Sequence, residues 1–127
     1  MQTKAKTIAG WTLSGLFVAF IIFDVGIKLV RLSIVGETLA GLGYPPEQGF
    51  MIGVIEAICL VLYVIPRTAV LGAVLFMSVM GGAIASHMRL EHELFGYTLF
   101  GVYLALFMWG GLWLRDPALR TIFPIRR

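Results

Sequence analysis

Charged side chains are scarce in this sequence of 127 residues: ten Lys or Arg and seven Asp or Glu make up 13% of the chain. A soluble globular domain usually carries about 25%, and 17 charges are few for covering the surface of a water-soluble domain of this length. Disorder is excluded as well, because 59% of the residues are hydrophobic and disordered chains are poor in such residues. The composition therefore predicts lipid as the solvent.

Several chemical motifs are also missing. Cys59 is the single cysteine, so the chain cannot form an internal disulfide, and its place in an apolar run predicts a buried thiol. The sequence has no C-x-x-C-H, H-E-x-x-H, Gly-rich phosphate loop or nucleophile elbow. It therefore favours neither a haem nor a metal site, and it leaves a cofactor undefined.

Four long apolar runs occupy residues 8–30, 49–65, 68–87 and 95–114. Each can cross a hydrocarbon core of about 30 Å as a helix that rises 1.5 Å per residue, although the second run is at the short end. None alternates with a period of two, as the strands of a membrane barrel do. We predict one all-α domain over residues 1–127, an integral membrane four-helix bundle.

The connections complete this prediction. Residues 33–42 lie in a loop rich in Gly and Pro and are expected to form a short interfacial helix. Pro66 and Arg67 form a tight hairpin, and residues 88–94 are a polar connection. Residues 115–127 read as a basic cytoplasmic tail on the membrane surface.

Lys and Arg set the expected orientation. Seven of them lie on the side of both termini and of the Pro66–Arg67 hairpin, whereas Lys28, Arg31 and Arg89 lie on the other side. The positive-inside rule then places both termini in the cytoplasm. The net charge of +3 is thus a topology signal, and no nucleic-acid partner is expected. The first run lacks an A-x-A cleavage site and is expected to remain as an uncleaved span.

Three ionisable residues interrupt the apolar runs: Asp24, Glu56 and His87. Such residues are expensive within a membrane and are therefore functional hypotheses. All three fall at similar depth in the outer half, and Lys28 follows Asp24 by four residues, on the same helix face. We predict a polar pocket, open to the outer face, that binds a ligand through Asp24, Lys28, Glu56, His87, Arg89 and Tyr97.

Each of these residues also has a structural interpretation. Asp24 and Lys28 suit an intrahelical ion pair, Glu56 suits a hydrogen bond across helices, and His87 suits an interfacial cap. His92, in a charged loop, suits simple solvation. If the pocket is functional, Glu56 and His87 are the candidate catalytic pair, because a carboxylate and an imidazole suit general acid–base chemistry.

Several segments together resemble the DoxX-like family of small bacterial four-helix membrane proteins. The segments are D-x-x-x-K at 24–28, L-G-Y-P at 42–45, G-V-I-E at 53–56, I-P-R-T at 65–68, L-G-A at 71–73, G-G-A-I-A-S-H at 81–87 and W-G-G-L at 109–112. The resemblance implies a multi-pass protein of the bacterial inner membrane. It also implies a lipophilic, quinone-like ligand between the helices, and Asp24, Lys28, Glu56 and His87 match recurrent polar positions.

Three functions follow as hypotheses. The first is a module that binds a lipophilic molecule such as a quinone and serves as an accessory subunit of a redox partner. The second is a structural or assembly protein, in which small-residue faces mediate helix contacts or homo-oligomers. The third is a membrane enzyme for isomerisation or epoxide chemistry, with Glu56 and His87 as acid and base.

Overall fold

The structure is a computed structural model that describes residues 3–126 and, within them, every side chain except that of Tyr97. This part of the chain contains helices, turns and loops but no strand. Its six α-helices are α1 (Lys4–Leu29), α2 (Ser33–Gly41), α3 (Gln48–Val64), α4 (Ala69–Arg89), α5 (Phe100–Arg115) and α6 (Pro117–Ile122). A 3₁₀ turn covers Pro66–Thr68, and a π-helical turn covers Leu94–Thr98.

Local signals explain where the helices begin and end. The Thr3 hydroxyl accepts a hydrogen bond from the Lys6 backbone N–H at 3.1 Å, which caps α1. Pro66 follows the last residues of α3, where its ring cannot continue the helix. Asp116 caps α6 by accepting from the Ala118 N–H at 3.1 Å. Gly43, after α2, has φ +86°, a left-handed conformation that glycine adopts without steric cost.

The long helices pack antiparallel in a ring, in which α1 contacts α3 and α5 while α4 contacts α3 and α5. Very close backbone approaches occur where α1 meets α5 at Gly111 and where α3 meets α4 at Gly72. The rings of Phe17, Tyr63 and Phe76 lie edge to face in the core between the helices. We call the end of the bundle where α1 and α4 finish the distal end, and the opposite end the terminal end.

Three helical segments are long and apolar enough to cross a membrane: Lys4–Leu29, Pro66–Arg89 and Leu94–Arg115. Gln48–Val64 is also apolar but shorter, as expected from its short run in the sequence. The described part of the chain is therefore all-helical and suited to a lipid bilayer.

The described residues form six α-helices where four spans are predicted, because two short helices, α2 and α6, are also present. One is α2, which falls where a short helix is expected. The other is α6, in the segment predicted only as a basic tail. Pro117 and the Asp116 cap start α6, and Arg120 then donates to the α5 carbonyls of Trp113 and Leu114 at 2.7 and 3.0 Å. The tail therefore folds back because it satisfies carbonyl groups at the end of α5.

Candidate functional site

The centre of the candidate site is one ammonium group between two carboxylates. Lys28 Nζ donates to Asp24 Oδ2 at 2.6 Å and to Glu56 Oε1 at 2.5 Å. The first contact lies within α1, at the i,i+4 spacing that brings side chains to the same face. The second joins α1 to α3, so the three residues form a single ion-paired cluster, here called the charge cluster.

The members of the charge cluster differ in burial. The side chain of Glu56 is 5% exposed, that of Lys28 is 19% exposed, and that of Asp24 is 24% exposed. Gly53 lets α1 and α3 come together here, since a Cβ at that position would meet the Cβ of Lys28. Glu56 is therefore held in the protein interior, where an ionised carboxylate needs the partner that Lys28 provides.

A large cavity of about 560 Å³ borders one side of the cluster. Asp24 and Lys28 form the charged part of its wall, and most of the remaining wall is apolar. The other helices that line it are α2, α3 and α4, with the residues Ile34, Val35, Leu39, Ile52, Ile55, Val79 and Ala83 among them. A cavity of this size and character is typical of a site for a small organic ligand.

A small cavity of about 170 Å³ borders the other side of the cluster. Asp24 and Lys28 line it together with Glu56 and His87, and α5 completes its wall with Phe100, Gly101 and Leu104. The charge cluster thus forms part of the wall of both cavities. Asp24, Lys28, Glu56 and His87 therefore lie together around the small cavity.

His87 is also linked to the distal surface. Its Nδ1 atom lies 2.7 Å from Nδ1 of His92, within hydrogen-bonding distance. His92 belongs to the connection between α4 and α5 and is exposed. The pair therefore extends from the wall of the small cavity to the surface, and His92 does more than the simple solvation expected of a loop residue.

Arg89, another of the predicted site residues, lies outside both cavities. The Arg89 guanidinium donates to the Leu42 carbonyl at 3.2 Å, and this hydrogen bond connects the end of α2 to α4. The Tyr97 side chain lies outside the described residues. Tyr44, in contrast, lines the large cavity and forms a 2.7 Å hydrogen bond with Ser86.

A second set of polar side chains, which the sequence did not predict, lies near the terminal end. Tyr63, 1% exposed, hydrogen-bonds to Ser14 at 2.9 Å and donates to the Met108 carbonyl at 2.7 Å. Arg115 donates to the Ser14 hydroxyl at 3.3 Å and lies over the Trp11 ring. Ser14 and Tyr63 both lie in the halves of their apolar runs nearest the terminal end, and this is the signal in the sequence that points to the contact.

No group of three or more metal-ligating side chains occurs among residues 3–126. The ammonium of Lys28 occupies the space between the two carboxylates of the charge cluster. Both cavities instead combine hydrogen-bonding groups with apolar walls. This arrangement suits an organic molecule with a polar head.

A family model described as the DoxX-like family matches residues 12–111. The matched segment contains the charge cluster and the described residues that line both cavities, and it ends before the C-terminal turn of α5. No curated protein and no solved structure matches the chain. The match covers most of the sequence and confirms the resemblance inferred from the motifs.

Proposed function

We propose that this chain, a membrane protein that belongs to the DoxX-like family, binds a lipophilic small molecule in the large cavity, with the molecule's polar head at the charge cluster. One observation carries the proposal: a 560 Å³ cavity with mainly apolar walls has Asp24 and Lys28 at one side. Apolar walls favour a hydrocarbon ring or chain, and the few polar groups fix its orientation.

A quinone fits these features. Lys28 has three N–H donors, of which two are used by Asp24 and Glu56, so a third is available for a ligand carbonyl. Tyr44 and Ser86 add hydroxyl groups to the cavity wall. A protein that holds a quinone in this way would serve a redox partner as an accessory subunit.

We also propose that the chain forms one transmembrane domain with four spans in the bacterial inner membrane, and that α3 is the shortest span. Both termini face the cytoplasm, because Lys and Arg are concentrated on that side. The distal end, with the charge cluster and both cavities, then lies in the outer half of the membrane.

A second candidate function is acid–base catalysis on a small apolar substrate. The observation that favours it is that Glu56 and His87 line the same 170 Å³ cavity. An apolar cavity of about 150 Å³ accommodates benzene, so a substrate of that size fits. Isomerisation or epoxide chemistry is compatible with these two groups.

A bulky side chain that fills the large cavity tests whether a ligand binds there. Ile52 lines it, whereas Ile58, on the same helix, is 56% exposed on the bundle surface. We expect Ile52→Trp to weaken binding of decylubiquinone at least tenfold, because the indole occupies ligand space. Ile58→Trp is the matched control and should bind as the unchanged protein does.

The measurement is decylubiquinone titration in detergent, combined with mass spectrometry of small molecules that co-purify with each variant. Equal binding and equal co-purified content in both Trp variants would contradict a site in the large cavity. Co-purification of another lipophilic molecule, lost only in Ile52→Trp, would retain the site and exclude the quinone. If a Trp variant changes the oligomer size of the protein but not its binding of decylubiquinone, the result would instead support a structural role.

A further inference from the structure

The two cavities meet at the charge cluster, and only the small one leads to the histidine pair. Asp24 and Lys28 line both cavities, while Glu56 and His87 line the small cavity alone. Polar groups therefore line a route from the ligand cavity through the cluster and the small cavity to His87 and His92. Each side chain along this route can accept or donate a proton.

The charge cluster has two carboxylates and one ammonium, so one of the carboxylates can take up a proton. Around the small cavity, α1 contributes Asp24 and Lys28, α3 contributes Glu56, and α4 contributes His87, whereas the α5 residues are apolar. With the cluster fully ionised and His87 neutral, the sum is one negative charge. A proton on either carboxylate brings the sum to zero, which a low-dielectric environment favours.

The small cavity can hold the water that such a transfer needs. Its 170 Å³ corresponds to about six waters at roughly 30 Å³ each. Water enters cavities that offer several polar partners, and four titratable side chains line this one. The distance from His87 to the cluster can therefore be bridged by hydrogen-bonded water.

The histidine pair provides the connection to bulk water. His87 and His92 approach through their Nδ1 atoms at 2.7 Å, so one ring donates and the other accepts. Histidine shuttles protons near neutral pH because one ring nitrogen can accept a proton while the other releases one. Since His92 is exposed, a proton from the distal solution can reach His87 through this contact.

We propose that the small cavity is a proton path between the distal surface and the charge cluster, with His92 and His87 at its entrance. In the inward direction, an N–H bond of protonated His87 breaks, a cavity water carries the proton, and an O–H bond forms at Glu56 or Asp24. No electrons are gained or lost. The delivery of this proton to a ligand rests on the proposed function, whereas the path from His92 to the cluster does not.

Infrared spectroscopy of the full chain in lipid nanodiscs tests the path without a ligand. The C=O stretch of a protonated carboxyl is assigned by its loss in Glu56→Gln or Asp24→Asn, over a series of pH values. A rapid change from H₂O to D₂O then shifts the band at the rate of proton exchange. We expect His87→Phe to slow this exchange at least tenfold, because the entrance is blocked by an apolar ring.

His92→Phe should also slow the exchange, and it decides the outcome if His87→Phe does not fold. Ile58→Phe, at an exposed position of α3 that lines neither cavity, is the control and should leave the rate unchanged. Exchange at the original rate in either folded histidine variant would overturn the path, as would absence of a carboxyl band at every pH. If decylubiquinone binding persists while the exchange rates do not differ, the inference fails and the proposed function stands.

Discussion

Lys28 and Glu56 join α1 to α3 through an ion pair of 2.5 Å, near the distal end of a bundle built largely from apolar side chains. Lys28 also pairs with Asp24 at 2.6 Å. A single cation therefore serves two anions, and the three residues are not equivalent. Loss of the cation leaves both carboxylates without their partner, whereas loss of one carboxylate leaves a matched pair.

This asymmetry predicts different stabilities for two variants of the charge cluster. Lys28→Met should lower the free energy of unfolding by about 3 kcal/mol, because it leaves Glu56 buried without a counter-charge. Glu56→Gln should cost less, since Lys28 keeps its pair with Asp24 at the half-buried edge. Thermal unfolding in one detergent compares them, and a Glu56→Gln variant that is the less stable of the two would refute this ordering.

Close helix packing predicts that substitution by alanine affects stability differently at two glycines. A Cβ at Gly111 would meet the Ser14 backbone nitrogen at 2.6 Å and the Gly10 carbonyl oxygen at 2.8 Å. Gly111→Ala must therefore push α5 away from α1, at a cost of about 2 kcal/mol. Gly81→Ala is the control, because nothing lies within 4 Å of its added Cβ.

The Gly81→Ala change should leave stability within about 1 kcal/mol of the original, because alanine favours the helical conformation over glycine. Unfolding midpoints of the two variants, measured side by side, check the prediction. Similar losses in both would show that the approach of α1 and α5 does not control stability.

The buried hydroxyl of Tyr63 predicts a difference in stability between two further variants. Tyr63→Phe keeps the ring but removes the hydrogen bonds to Ser14 and to the Met108 carbonyl. The loss should cost about 2 kcal/mol, since the buried Met108 carbonyl then lacks this donor. Tyr103→Phe removes a comparable 2.6 Å bond, to the Phe95 carbonyl, at an exposed site. It should cost less because the Phe95 carbonyl lies at the distal end of its span, where interfacial water can replace the bond, and equal losses by thermal unfolding would contradict this account.

The sequence predicts one of the two ion pairs of the charge cluster directly, that of Asp24 and Lys28. A spacing of four places Asp24 and Lys28 on one helix face, and the depth of Glu56 places it near them. Which way α3 rotates cannot be predicted from apolar runs, because a membrane helix is hydrophobic all round. The pairing of Lys28 with Glu56 thus depends on packing, including the close approach at Gly53.

Other features depend on contacts between segments that are distant in sequence. The connection between the first two spans predicts a short helix, but not that α2 covers a cavity. Arg89 reads as a ligand-binding cation, yet it holds the Leu42 carbonyl. Tyr63 lies near the end of an apolar run, and nothing in that run predicts that its ring is in the core. These roles follow from tertiary packing, which overrides local pattern.

The proposed orientation predicts which cysteines react from outside the cell. In a Cys59→Ala background, single cysteines replace Ala5, Ile65 and Leu90, all exposed positions whose substitution changes no Lys or Arg. Intact bacterial cells are treated with a membrane-impermeant maleimide, before or after permeabilisation. We expect Leu90→Cys to react in intact cells, because it lies at the distal end. Ala5→Cys and Ile65→Cys should react only after permeabilisation, since the basic residues retain that side in the cytoplasm. Labelling of Ala5→Cys but not of Leu90→Cys in intact cells would invert the orientation and place the charge cluster in the inner half of the membrane.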